Sequence, residues 1–264
     1  MNINFDRHRA QLRCETIMGC TIETWANANF KSLVLTAANA SLLESDLKED
    51  AADLYFKGIL SLFESFRSIN ERLYSWATVK IYYSIFYLLK SHLAASGIAL
   101  IRQKSLYCLK ATAGETPSAA AGRKYNTDHS GTIYYFSNLI SSDILLSQKI
   151  ELMSSYEWLM NKREQINYRE RIFNEPSHPL IWETIVLQSQ VTSLKDIVLQ
   201  YIKDHFILSF QEEHAILAIP IKRALLTKAK LDSERIKINF SNEKKQLLHR
   251  LLPFDIAEIN ELLD

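Results

Sequence analysis

This sequence predicts an all-α helical bundle, and three observations carry the prediction. Apolar residues recur at steps of three and four along several long stretches, the signature of helical faces. One stretch, WATVKIYYSIFYLLKSHLAASG from Trp76 to Gly97, is apolar on nearly every side. Only a helix enclosed by several neighbours can afford that composition. Glycine and proline number six and five in 264 residues, too few for an all-β chain full of tight turns.

Taken in order, residues 1–40 form an N-terminal extension in which FKSLVLTAANA fits either a short helix or a strand. Ser41 and Glu44 have the spacing of a capping box. Leu47, Ala51, Leu54, Gly58, Leu62, Phe66 and Ile69 then continue one apolar face to about Asn70. The break at Asn70–Ser75 is short, so this helix and the apolar one after it are expected to pack antiparallel. Gly97 suits the left-handed turn past a helix end. ALIRQKSLYCLK has room for one helical turn, and TAGETPSAAAG is a loop. In TDHSGTIYYFSNLI, Thr127, Asp128 and Ser130 are good caps, and Ile133, Phe136 and Ile140 form a stripe. A further helix is expected over about Leu146–Phe173, ended by Pro176 and Pro179. This assigns residues 41–175 to a helical bundle and 176–264 to a mainly helical extension. There, Leu187, Val191, Leu194, Val198 and Tyr201 mark another helix, while HFILSF and IKINF fit strands or helical turns.

Composition excludes several classes of function. Apolar residues are 47% and charged residues 23%, as in a folded globular protein. The net charge of +1 makes electrostatic partners a local question. Cys14, Cys20 and Cys108 show no CxxC or metal spacing, so free thiols and no metal are expected. The start, MNINFDRHRAQL, lacks a signal-peptide layout, and no apolar run reaches the roughly 20 residues that span a bilayer. A cytoplasmic chain is expected. GxGxxG, GxxxxGK[ST], HExxH and GxSxG are all missing, and no cofactor is implied.

Two segments carry local positive charge. Arg102, Lys104, Lys110, Arg123 and Lys124 face only Glu115 and Asp128, which fits a solvated loop or a basic flap over phosphate. Between His214 and Arg250, nine bases oppose Asp232, Glu234 and Glu243, a solvated face or a surface for nucleic acid.

The most informative position is Arg163. Leu152, Tyr156, Leu159, Arg163 and Ile166 lie on one stripe, so a guanidinium stands where an apolar residue is expected. It must either be tied to partners as an internal strut or line a cleft that takes phosphate. Asn167 follows on the same face, with Tyr168 and Arg169 next to it. His129, beside a helix start, fits a hydrogen-bonded structural role better than a catalytic one.

Three pieces together, KIYYSIFYLLKSHLAASG, DHSGTIYYF and REQINY, resemble the HEPN superfamily over about residues 45–173. The likeness is to the branch with a Tyr-Tyr helix, a His-Ser-Gly helix start and an arginine followed by Asn-Tyr. The resemblance implies a bundle of four to five helices, often dimeric, with the arginine helices lining a cleft. It implies a bacterial toxin–antitoxin or phage-defence context and a nucleotidyltransferase or ATPase as neighbour. Ribonuclease members pair the arginine with a histidine, without metal. Here that position holds Tyr168, and phenols ionise near pH ~10, unsuited to a general base at neutrality. The expected function is therefore binding of RNA, a nucleotide or a partner protein through Arg163, Asn167, Tyr168, Arg169, Tyr82, Tyr83 and Ser130. A metal-independent endoribonuclease using Arg163 with Tyr168 or His129 is the alternative. A structural subunit of a larger complex is the third.

Overall fold

The computed structural model describes residues 7–21, 24, 27–120 and 125–263. It is 66% helical with 6% strand, and the described residues contain eleven α-helices. In order these are α1 (Arg9–Met18), α2 (Asn27–Lys31), α3 (Ala37–Asn70) and α4 (Tyr74–Ala95), then a sheet of β1 (Ile98–Arg102), β2 (Leu106–Lys110) and β3 (Ser118–Ala119). α5 (Asp128–Leu139), the hairpin β4 (Lys149–Ile150) and β5 (Met153–Ser154), and α6 (Ser155–Glu164) follow. The rest is α7 (Glu183–Ser189), α8 (Leu194–Lys203), α9 (Glu212–Ser233), α10 (Asn242–Leu251) and α11 (Ala257–Asn260). Among the described residues, no helix is long and apolar enough to cross a membrane.

The chain divides into two compact units. The first holds the residues up to Leu54 with Leu89–Leu139 and Lys230–Ile236, and the second holds Tyr55–Leu88, Ile140–Ala229 and Lys237–Asp264.

In the first unit, α1 lies against α3 through charge pairs that repeat with the helical turn. Arg13 meets Asp46 at 2.6 Å and Arg9 meets Asp53 at 2.7 Å. Asp50, between them, accepts the backbone N–H groups of Arg9 and Ala10 at 2.9 Å each. A carboxylate 40 residues away thus caps the start of α1. α3 begins at Ala37, four residues before the expected capping box, because the Thr36 hydroxyl accepts the Asn39 N–H at 3.2 Å. Ser91 on α4 donates to the Ala51 carbonyl of α3 at 2.8 Å.

ALIRQKSLYCLK is a β-hairpin rather than a helical turn, with Leu100 opposite Cys108. Its β2 strand is buried at Leu106, Tyr107, Cys108 and Leu109, and continuous burial of that kind hides the period-two signal. Thr127 caps α5 through the Ser130 N–H at 3.2 Å. Gly131, one turn on, admits no side chain: a Cβ there would lie 2.5 Å from the Tyr125 carbonyl oxygen and from the Leu106 side chain. Burial pushes the Cys14 thiol up to about 12 and the Cys108 thiol up to about 11, which keeps both protonated and inert.

In the second unit, α3 and α4 approach closely along their length. Lys80 bonds Glu64 at 2.8 Å and Ser68 at 2.9 Å, and Gly58 lies under Leu88, where a Cβ would fall 2.7 Å from that side chain. Partners advance along one helix as they retreat along the other, which is the expected antiparallel pair. The centre of this unit is α9, which the periodicity did not reveal. Ala215, Ile216, Leu217, Ala218 and Ile219 are all fully buried on it, although Pro220 sits within the helix. Trp158, Trp182, Val198 and Tyr201 of the same unit are also fully buried, and the Tyr201 hydroxyl bonds His214 on α9 at 3.0 Å.

Two further expectations change here, and a third, left open between strand and helical turn, is decided. The helix expected over Leu146–Phe173 starts only at Ser155, because Glu151 and Leu152 adopt positive φ in the β4–β5 turn. Ser154 and Glu157 form a capping box at that start. The helix expected through Leu187–Tyr201 is two, α7 and α8, with Ser193 capping the second through the Asp196 N–H. HFILSF contributes a single 3-10 turn at Leu208–Phe210, and IKINF is extended without a ladder partner.

Candidate functional site

Arg163 sits in the last turn of α6, where the helix widens. Residues Gln165–Arg169 form a π-helix, closed by the Glu170 N–H on the Gln165 carbonyl at 3.0 Å. In an α-helix, residues five apart point about 140° away from each other. The wider turn brings Tyr168 back over Arg163, and the guanidinium donates to its hydroxyl at 3.1 Å. The π-turn ends the helix here, as π-turns at helix C-termini do.

The other wall comes from α4. Arg163 donates to the Tyr83 hydroxyl at 3.3 Å. The guanidinium carbon lies 5.3 Å from the Tyr82 ring centre, 5.6 Å from that of Tyr83 and 4.8 Å from that of Tyr168. Each ring face offers on the order of 1 kcal/mol to the cation. The segment that follows is stapled to the start of α4. Glu175 accepts the Ser75 N–H at 2.7 Å, Trp182 donates to Thr78 at 2.9 Å, and Phe173 meets Trp76 edge-on. The tyrosines and the arginine are therefore held on firmly packed elements.

What the site lacks is a counter-charge. Arg163 is 7% exposed, its Nε has no hydrogen-bond partner, and among the described residues no carboxylate lies within 4 Å of it. Tyr168 is 67% exposed and forms the outer wall. The result is a nearly sealed cation among phenols, with its charge unanswered.

A second arginine shows what an internal strut looks like. Arg223 on α9 is fully buried, with Asp143 as its ion-pair partner, the Tyr156 hydroxyl at 3.1 Å and Thr227 at 3.1 Å. Burial opposes its charge, but Tyr156 and Asp143 outweigh that effect and hold it ionised. Burial also drives the Tyr156 phenol far above its usual range, so it stays protonated and donates to Asp143 at 2.9 Å. The signal that marked Arg163 was present here too, since Ile219, Arg223 and Thr227 follow one another at helical steps.

Of the site residues expected from the sequence, the structure brings Arg163, Tyr82, Tyr83 and Tyr168 together. Asn167 and Arg169 share the π-turn, half-buried and exposed, and Arg169 lies 3.8 Å from Glu164. His129 and Ser130 stand in the first turn of α5, in the first unit, where the Ser130 hydroxyl bonds Thr127 at 2.6 Å. Arg123 and Lys124 of the basic loop lie outside the described residues. Arg102 donates to the Asn126 carbonyl, while Lys104 and Lys110 are exposed. Of the nine C-terminal bases, Lys222 and Arg223 are buried, which removes them from any surface for nucleic acid. Lys222 instead donates to the carbonyls of Ile202 and Asp204 at the end of α8.

No family model matches this chain, and comparison with curated proteins and with solved structures finds no match either. Among the described residues, no group of three or more His, Cys, Asp or Glu side chains is placed to hold a metal ion.

Proposed function

We propose that this chain is a HEPN-like module of a bacterial toxin–antitoxin or phage-defence system, binding RNA or a nucleotide at Arg163. One observation carries the reading: a buried guanidinium with an unbonded Nε and no carboxylate partner, walled by three phenols. A phosphate supplies the missing charge and acceptors, and guanidinium forks match phosphate geometry. The exposed Tyr168 offers a ring face on which a base stacks as the ligand enters. The resemblance in KIYYSIFYLLKSHLAASG, DHSGTIYYF and REQINY supplies the biological context.

Binding without cleavage is the favoured activity, because the rings around the guanidinium are phenols and Tyr168 stands where ribonuclease members carry histidine. The test is fluorescence anisotropy with a labelled single-stranded RNA oligonucleotide across a salt series. We expect binding that weakens linearly in log salt and is lost in Arg163→Ala while helicity by circular dichroism is unchanged. Binding equal in Arg163→Ala would overturn the reading. RNA cleavage in EDTA, leaving 2′,3′-cyclic phosphate ends and abolished in Arg163→Ala, would replace it with the endoribonuclease.

A further inference from the structure

Behind the π-turn, in the second unit, lies a cleft of about 350 Å³ whose lining includes the buried Ile166 and the exposed Leu180. Its rim carries Glu170, Glu183, Glu212 and Glu213 against one ammonium, that of Lys162. Lys162 is already held by Glu151 at 2.8 Å and Glu212 at 3.4 Å, and Glu183 bonds the His178 ring at 2.7 Å, so the carboxylates of the rim still outnumber its bases. An apolar stripe runs out of the cleft along α7. Leu180, in the 3-10 turn before α7, and Thr184 line the cleft, and Leu187 on α7 and Val191 in the turn just past it follow at steps of three and four. Leu180 is 85% exposed, Leu187 52% and Val191 87%. Leu187 and Val191 belong to the amphipathic pattern read from the sequence, yet the fold leaves both uncovered.

We propose that this face docks a basic amphipathic helix of a partner protein. Its apolar anchors sit over Leu180, Leu187 and Val191, and flanking lysines or arginines reach the glutamates of the rim. Charge selects that occupant, since four carboxylates repel phosphate-bearing surfaces, whether nucleic acid or anionic membrane. Length selects it too. The stripe covers twelve residues of mostly helical chain from Leu180 to Val191, roughly 16 Å end to end, enough for anchors at i, i+4 and i+7 of a docked helix. The site is separate from Arg163 and holds or fails independently of the RNA-binding reading.

The test uses the full chain and two fluorescein-labelled synthetic helices with the same leucine face, one flanked by lysines and one by glutamates. The lysine helix is expected to bind and the glutamate helix not to bind. Leu187→Asp, at an exposed position, should weaken the lysine helix by about tenfold or more with the fold intact. Combining Glu183→Lys with Glu213→Lys should shift preference to the glutamate helix, and Arg163→Ala should change nothing. Absence of binding, equal binding of both helices, or binding unaffected by Leu187→Asp would overturn the proposal. So would equal binding of a lysine peptide scrambled to remove its apolar face.

Discussion

Two arginines placed by the same sequence pattern have opposite energetics. Arg223 is matched by Asp143, Tyr156 and Thr227, so removing it strands a buried carboxylate. Stranding one member of a buried ion pair costs about 3–5 kcal/mol. Arg163 has no such partner and gains mainly from ring faces. Arg163→Met fills the space without orphaning a charge, so it should change stability by less than about 1 kcal/mol, whereas Arg223→Met should lose about 3–5 kcal/mol. Urea unfolding of the two variants measures both. An Arg163→Met loss as large as that of Arg223→Met would make Arg163 a strut and leave no site.

At the scale of elements, termini decide where helices start, and several caps come from far along the chain. Asp50 supplies the acceptors for α1, and Glu175 does the same for α4 across 100 residues. Burial alone would raise the Asp50 carboxyl, but the His8 ring 3.8 Å away and the hydrogen bonds from the Ala10 and Arg9 N–H groups outweigh it and hold the pKa below the usual range. A carboxyl depressed by folding stabilises the fold above its unfolded pKa of about 3.9 and loses that contribution as pH falls through the lower folded value. Asp50→Ala should therefore cost about 1–2 kcal/mol at neutral pH, the range for a lost cap, with the gap to the native chain narrowing as pH drops below about 4. Denaturant melts at neutral and acid pH test this. A gap independent of pH would show that the cap acts without its charge. The π-turn belongs to this scale as well, since it alone returns Tyr168 to Arg163.

At the scale of the molecule, the second unit draws on chain segments far apart in sequence. Tyr55 donates to the Leu262 carbonyl at 3.1 Å, Trp182 bonds Thr78, and the fully buried residues of α9 fill its centre. A chain cut after Glu175 removes α7 through α11 and exposes the apolar faces that they cover. That fragment should lose near-ultraviolet circular dichroism, bind the dye ANS and unfold without a cooperative transition. A sharp melt of residues 1–175 would show that the bundle stands without its C-terminal region.

Composition and periodicity by themselves determined the all-α class, the long α3 and α4, their antiparallel course and the anomaly at Arg163. These follow from burial along one helical face, which is written locally in the sequence. Three features were decided only by tertiary structure. The hairpin at Ile98–Lys110 carries buried residues on both strands, so its alternation is erased. Helix α9 was obscured by Pro220 and by Lys222 and Arg223, whose charges look solvated until Ile202, Asp204 and Asp143 meet them. Whether an arginine on an apolar stripe is neutralised depends on which carboxylate the fold brings to it. Asp143 comes to Arg223 from 80 residues away, and no acid comes to Arg163 among the described residues. A linear sequence records the charges but not those distances.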